Sequence, residues 1–85
     1  MFDVMVTLKI KAFGITKDIL GSRDVELTLT EKGTVSDLRK MLDEKYPHMK
    51  GLKSLYIAVN NEYAEDSHIL TGEEEIALIP PVSGG

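Results

Sequence analysis

The segment VELTLTEKGTVSDLRKMLDEKYP, residues 25–47, contains a strand pattern followed directly by a helix pattern. In its first part, Val25, Leu27 and Leu29 alternate with polar residues. Apolar residues at every second position are typical of a strand with one buried face. The segment therefore begins with a half-buried strand that ends near Thr30.

The second part of the segment has the signals of a helix at both ends. Thr34 lies where an N-cap is expected, with Asp37 three residues later, which is the spacing of a capping box. Pro47 ends the helix because the residue before a proline avoids the α region. Apolar residues recur between them at helical spacing: Val35, Leu38, Met41, Leu42 and Tyr46. The pattern predicts an amphipathic helix from about Val35 to Tyr46.

A second alternating pattern precedes this segment. Its apolar members are Val4, Val6, Leu8, Ile10 and Ala12. They predict a first strand that is a neighbour of the strand at residues 25–30. Gly14 interrupts the pattern, and we expect Thr16 to cap a short helical turn that ends at Gly21.

Shorter strand patterns follow the helix. Leu55, Ile57 and Val59 form a third alternating run, and Asn60-Asn61 indicates a turn because asparagine tolerates positive φ. Further predicted elements are a brief edge strand at Tyr63 and Ala64, a turn at residues 69–72 that plugs Ile69 and Leu70 under the sheet, and a last strand over residues 76–79. The order predicts an α+β fold, with a mixed sheet of four to five strands crossed by one main helix.

Composition excludes several classes of function. The 85 residues, 42% of them hydrophobic, are enough for one small domain. The absence of cysteine excludes a disulfide, a thiolate nucleophile and a cysteine-type zinc site. A net charge of −4 without a lysine or arginine block argues against nucleic-acid and membrane surfaces and favours a basic partner. Without an apolar span or a signal sequence, the expected location is cytoplasmic.

The segment IPPVSGG, residues 79–85, indicates where the chemistry lies. Proline fixes φ and favours extended geometry, and glycine fits channels too narrow for a side chain. The residues that follow the last strand are Pro80, Pro81, Val82, Ser83, Gly84 and Gly85. Six extended residues reach at most about 20 Å. We therefore divide the chain into a domain of residues 1–79 and an extended tail of residues 80–85, which delivers the Gly85 carboxylate into a partner's active site.

Few other residues suggest a site. Tyr63 and Ile79 are expected near the exit of the tail, as an apolar docking patch for a partner, although a core position fits Ile79 equally well. His48 and His68 lack a second ligand at a suitable spacing, so no metal site is predicted. Glu73, Glu74 and Glu75 are interpreted as a solvated turn.

The tail, together with Ala58-Val59-Asn60-Asn61 and Leu70-Thr71, resembles the small, sulfur-carrying subunit of molybdopterin synthase, the MoaD family, over nearly the whole chain. The resemblance implies a β-grasp, ubiquitin-like fold. A bare Gly-Gly end is shared with the thiamin sulfur carrier ThiS and with ubiquitin-like modifiers. Gly72 lies one position earlier than is usual in the family, and residues 1–4 extend beyond the usual start, so Met5 is an alternative initiator.

By this resemblance, a ubiquitin-activating-type adenylyltransferase uses ATP to adenylate Gly85. A sulfur donor protein then converts the adenylate to a thiocarboxylate, and the large synthase subunit transfers the sulfur to a pterin precursor during molybdenum cofactor biosynthesis. The chain itself is expected to bind no cofactor and to contain no independent active site. Alternatives that stay open are a protein modifier conjugated through Gly85, or a sulfur carrier for thiamin synthesis or transfer RNA thiolation. A purely structural interaction domain is a further possibility, because fold does not imply function.

Overall fold

The computed structural model describes residues 4–51 and 55–80, which form a sheet with two helices and one 3-10 turn. In chain order the elements are β1 (Met5–Ala12), α1 (Ile15–Leu20), β2 (Asp24–Thr30), α2 (Val35–Lys45), the 3-10 turn (Pro47–Gly51), β3 (Tyr56–Val59), β4 (Glu62–Tyr63) and β5 (Glu75–Ile79). The predicted strands and main helix are all present, although the edge strand contains Glu62 and Tyr63 and not Ala64. None of the helices in these ranges has the length and apolar character needed to cross a membrane.

The sheet has the strand order β2-β1-β5-β3-β4. β1 pairs with β2 in antiparallel register and with β5 in parallel register, so the first and last strands are neighbours at the centre. β3 is antiparallel to both β5 and β4. A mixed sheet of five strands with one main helix confirms the predicted α+β, β-grasp architecture.

The core lies between α2 and one face of the sheet. From the helix it takes Val35, Leu38 and Leu42, whereas Met41 is only partly buried. The sheet contributes Leu8, Ile10, Leu27, Leu29, Ile57, Val59, Ile76 and Leu78. Met49, in the 3-10 turn, is also buried, although it belongs to none of the apolar patterns of the sequence. A turn that follows a helix returns toward the core, and one long side chain can fill the space beneath it.

The N-terminus of α2 has its predicted capping box. The Thr34 hydroxyl accepts a hydrogen bond from the Asp37 N–H at 3.3 Å, and the Asp37 carboxylate accepts one from the Thr34 N–H at 2.9 Å. Two further N–H groups at the start of the helix bond a loop that is distant in sequence. The Val35 N–H donates to the His68 carbonyl, and the Ser36 N–H donates to the Asp66 carbonyl, both at 2.9 Å. The first turn of α2 therefore anchors residues 66–68. At the other end Tyr46 is the C-cap, and the helix ends just before Pro47 as predicted.

The predicted cap of α1 was wrong. Gly14 occupies the N-cap position with φ of 56°, and Thr16 lies fully buried within the helix. The Thr16 hydroxyl accepts from the Phe13 N–H at 2.9 Å and donates to the Phe13 carbonyl. A positive φ at Gly14 starts the helix two residues earlier than the Thr16 signal suggested. Gly21 does end the helix, in the left-handed conformation with φ of 79°.

The predicted apolar plug at residues 69–72 was half right. Leu70 is fully buried, but Ile69 is 51% exposed. The Leu70 N–H donates to the Gly33 carbonyl at 2.9 Å, and Ile69 forms an isolated antiparallel bridge with Thr34. An extended segment directs neighbouring side chains to opposite sides, so only one of the pair enters the core.

Candidate functional site

Pro80, the first residue of the predicted tail, lies beside the end of β1. β5 ends at Ile79, and its neighbour in parallel register is β1, with Leu78 opposite Ala12. Pro80 then lies against Gly14, where an added Cβ would be 3.2 Å from the Pro80 Cγ. The last strand therefore ends where the tail was predicted to begin. The tail residues predicted to react or to bind a partner, Pro81, Val82, Ser83, Gly84 and Gly85, lie outside the described residues.

An apolar surface lies next to this exit, on the face of the sheet opposite α2. We name it the tyrosine patch, and its residues are Phe13, Tyr56, Ala58, Tyr63, Ala77 and Ile79. The register brings them together, because Tyr56 pairs with Ile79 and Ala58 pairs with both Ala77 and Tyr63. Tyr63 is 70% exposed and Tyr56 is 51% exposed. An exposed cluster of this kind marks a surface for a partner.

Two aromatic rings form the most accessible part of the patch. The rings of Tyr56 and Tyr63 are stacked, with centroids 5.0 Å apart and an interplanar angle of 22°. The β3–β4 hairpin brings them together through the predicted turn at Asn60 and Asn61, which have φ of 51° and 69°. Two successive positive φ angles give the type I′ turn whose twist suits a hairpin. The short turn therefore fixes Tyr63 opposite Ala58 and beside Tyr56.

The two predicted docking residues both lie on this patch. Ile76 and Leu78 are fully buried on the helix side of β5, so the alternation directs Ile79 to the opposite face, where it is partly exposed. The patch position of Ile79 is thus favoured over the core position. Phe13 and Tyr56 were not predicted from the sequence. The signal for Tyr56 was present, because an aromatic residue lies out of phase with the buried Ile57 and Val59.

A charged pair borders the patch toward β2. The Lys11 Nζ lies 2.8 Å from the Glu75 Oε1, with both side chains about half exposed. The hydrogen bond and the charge of Glu75 raise the pKa of Lys11 above its usual value. Glu75 is thus a strand residue with a partner, so its interpretation as part of a solvated turn was wrong. Its N–H also donates to the Asn60 Oδ1 at 3.0 Å, which joins β5 to the hairpin turn.

Glu74 has a structural role in the turn before β5. Its carboxylate accepts hydrogen bonds from the N–H groups of Thr71 and Gly72, each at 3.0 Å. Burial favours the neutral carboxyl, but these bonds to the backbone more than offset it and lower the pKa of Glu74. Gly72 lies one position earlier than is usual in the family, and its φ of 94° defines the geometry of this turn. Of the three glutamates, only Glu73 fits the description of a solvated turn residue.

The histidines lie away from the patch. His48 and His68 are both exposed. Within residues 4–51 and 55–80, no three histidine or acidic side chains are grouped closely enough to hold a metal ion.

Comparison with known proteins points to one family. The model of the ThiS family matches residues 10–85, which include the whole tail. The molybdopterin synthase sulfur carrier subunit of Caenorhabditis elegans is 34% identical over 84 residues, covering 95% of this chain and all of the relative. The protein of the same name from Caenorhabditis briggsae is 36% identical over 84 residues, with the same coverage.

Solved structures share the fold. A Pyrococcus furiosus protein described as a molybdopterin converting factor, subunit 1, superposes with a TM-score of 0.83 at 24% identity, covering 91% of this chain and 99% of the other. Small archaeal modifier protein 1 from Methanosarcina acetivorans gives 0.75 at 26% identity, covering 96% and 99%.

A third structure contains a partner. It is the complex of subunits 1 and 2 of the molybdopterin-converting factor from Helicobacter pylori, with a TM-score of 0.63 at 26% identity, covering 96% of this chain and all of the matched one. The family match and the full-length relatives lead to the same family assignment as the fold. The chain belongs to the ThiS family of β-grasp proteins, and its relatives include molybdopterin synthase sulfur carrier subunits.

Proposed function

We propose that this chain is the sulfur carrier subunit of a molybdopterin synthase, with its reacting group at the Gly85 carboxylate. The observation that carries the proposal is the full-length similarity to proteins of that name, which in the family match extends through Gly85. The tyrosine patch beside the tail exit supports it, because a carrier must dock on a partner while its tail enters the partner's active site.

The chemistry requires little of the chain beyond a free carboxylate. A carboxylate oxygen is a poor leaving group, so the Gly85 carboxylate first attacks the α-phosphate of ATP, releasing pyrophosphate and forming an acyl-adenylate. Hydrosulfide supplied by a sulfur donor protein then displaces AMP, so that a carbon–sulfur bond replaces the carbon–oxygen bond to the phosphate and Gly85 becomes a thiocarboxylate. After this sulfur attacks the pterin precursor, water hydrolyses the resulting thioester, and Gly85 is a carboxylate again. The adenylyltransferase supplies the ATP site and the catalytic groups. The chain supplies the sulfur as a tethered reactant. Because the tail holds this sulfur in the partner's active site, a high concentration of free sulfide is not needed.

The tyrosine patch and the tail form one recognition surface in this proposal. The large synthase subunit is the first partner, as in the two-subunit complex from Helicobacter pylori. The patch supplies the apolar contact, and Pro80, which lies against Gly14, fixes φ at the base of the tail. Proline reduces the number of conformations of the free tail, which lowers the entropy cost of ordering it on binding. A cytoplasmic location stays a prediction.

A second function is conjugation of Gly85 to lysines of other proteins. The similarity to small archaeal modifier protein 1, at 26% identity over nearly the full length of both chains, favours it. Both functions use the same acyl-adenylate. They differ in the nucleophile that attacks it, which is sulfur in one case and an amine in the other.

Mass spectrometry of the intact protein from its own cells separates the two functions. In a carrier, sulfur replaces one oxygen of the C-terminal carboxylate, so the mass of the chain increases by the difference between the two atoms. A modifier gives larger adducts, in which the chain is linked to lysines of other proteins. The control is the chain without Gly84 and Gly85. This variant should melt at the same temperature as the wild type but form neither product. If the wild-type chain carries neither mark, or the truncated chain forms thiocarboxylate at the wild-type rate, the proposal is wrong.

A further inference from the structure

Arg39 of α2 connects the two ends of the β3–β4 hairpin. Its Nη1 donates to the Leu55 carbonyl at 2.8 Å, immediately before β3. Its Nε donates to the Asp66 Oδ1 at 3.0 Å, three residues after β4. The hairpin between these two points carries Tyr56 and Tyr63. One guanidinium on the helix side of the sheet thus holds both ends of the element that presents the stacked rings on the opposite side.

The Asp66 end of this link is fixed independently. The Ser36 N–H donates to the Asp66 carbonyl at 2.9 Å, and the Val35 N–H donates to the His68 carbonyl. The loop after β4 therefore stays bound to the helix without Arg39. At the Leu55 end, the Arg39 guanidinium is the side chain that donates to the carbonyl. The Arg39 bond to Leu55 therefore ties the residue before Tyr56 to α2.

We propose that Arg39 is a positioning residue for partner recognition, acting through the β3–β4 hairpin on the stack of Tyr56 and Tyr63. The inference rests on the proposed function, in which the tyrosine patch docks on a partner while the tail enters that partner's active site, and the partner relevant to Arg39 is the adenylyltransferase. β4 has only two residues and lies at the edge of the sheet, whereas β3 is also paired with β5, with Tyr56 opposite Ile79 at the end of that ladder. Leu55 lies just beyond this last pair, so support at Leu55 acts on the end of β3 that carries Tyr56.

The geometry requires arginine in particular. A planar guanidinium donates in two directions at fixed angles, whereas the ammonium of lysine is a point charge on a flexible stem. The ion pair alone contributes little, since the Asp66 side chain is 68% exposed and pairs of this kind are weak. The bond from a charged donor to the partly buried Leu55 carbonyl is the stronger interaction.

The test compares Arg39→Met with Lys40→Met, which removes the same charge from the next, exposed position of the same helix. Thiocarboxylate formation is measured with the cognate adenylyltransferase, ATP and sodium sulfide, at a temperature well below the melting temperature of each variant. Arg39→Met should raise the KM for the carrier between about twofold and thirtyfold, the usual range for residues that act at a distance, and should leave kcat unchanged. Lys40→Met should keep the wild-type KM. Asp66→Asn should lie close to wild type, because the Leu55 bond remains.

A second measurement is independent of activity. In nuclear magnetic resonance spectra of the free protein, Arg39→Met should weaken the ring-to-ring contacts of Tyr56 and Tyr63 and speed the exchange of the Ala64 N–H, which donates to the Ile57 carbonyl. Wild-type ring contacts in Arg39→Met would overturn the positioning role, and so would an unchanged KM or a loss confined to kcat. If the wild-type chain itself forms no thiocarboxylate, the proposed function fails, while the ring contacts still test the link.

Discussion

Gly14 and Pro80 are in direct contact where the tail leaves the domain, with only 3.2 Å between the position of a Gly14 Cβ and the Pro80 Cγ. Gly14 also has φ of 56°, which disfavours any residue with a side chain. The start of α1 and the start of the tail therefore restrict each other. A change at Gly14 should alter both stability and the direction of the tail.

Gly14→Ala should destabilise the fold by about 1–3 kcal/mol, because alanine is strained at positive φ. It should also slow thiocarboxylate formation, since the new methyl group displaces Pro80. The matched control is Gly21→Ala. Gly21 has φ of 79° in the left-handed helical region, which an L residue adopts more easily than the conformation of Gly14, and nothing lies within 4 Å of an added Cβ. Denaturant unfolding and the activation assay together should show a smaller loss of stability in Gly21→Ala and slower activation only in Gly14→Ala. Equal activation rates would refute a role of this contact in directing the tail.

Leu38→Ala should lower the free energy of unfolding by about 2–5 kcal/mol, because Leu38 is fully buried between α2 and the sheet. Lys40→Ala, on the exposed side of the same helix, should stay within about 0.5 kcal/mol of wild type. Chemical denaturation with matched m-values measures both. A near-neutral result for Leu38→Ala would contradict the packing of α2.

The local elements were predictable because their signals are short-range. The capping box at Thr34 and Asp37, the end of α2 before Pro47 and the turn at Asn60 and Asn61 depend on neighbours within a few residues. Errors occurred where tertiary contacts decide. Ile69 forms a bridge with Thr34, which is distant in sequence, and its side chain is exposed, so only Leu70 of the predicted pair enters the core.

The candidate site was predictable only in part, for the same reason. Tyr63 and Ile79 were identified from their expected closeness to the tail. Their partners depend on strand register, which places Tyr56 opposite Ile79 and Ala58 opposite Tyr63. Pairing between distant strands cannot be read from the period of one strand. The same limit hid the pairing of Lys11 with Glu75 and the link from Arg39 to Leu55.

Tyr63→Ala should weaken binding of the large subunit by more than about 1 kcal/mol, as expected for an exposed aromatic at the centre of a docking surface. The ring is 70% exposed, so its loss should change the melting temperature little. Glu62→Ala, in the same short strand, is the control and should bind like wild type. Calorimetric titration of the purified large subunit measures the difference. Wild-type affinity in Tyr63→Ala would exclude the tyrosine patch as the docking surface.

Glu74 should make stability depend on acid pH. Hydrogen bonds from the backbone hold its pKa in the folded chain below the usual 4.5, so its carboxylate stabilises the fold above that pH. The contribution is lost as the pH falls through the lowered value. The melting temperature should therefore decrease between about pH 5 and pH 3, and less steeply in Glu74→Gln than in wild type. Glu73→Gln removes an exposed neighbour and should retain the wild-type slope. If the melting temperatures of Glu74→Gln and wild type changed in parallel with pH, the turn would not depend on the charged form of Glu74.

The parallel pairing of β1 with β5 also determines when a newly made chain becomes recognisable. These strands come from opposite ends of the chain, and their contact closes the longest loop in the sheet. In the finished sheet, β5 is the strand that joins β1 and β2 to β3 and β4, so without it no strand pairing holds Phe13 beside Tyr56 and Tyr63. The complete docking surface therefore exists only after the strand that carries the tail has been inserted. An enzyme that requires this surface would activate finished molecules and ignore partly folded or clipped ones, so recognition would also serve as quality control.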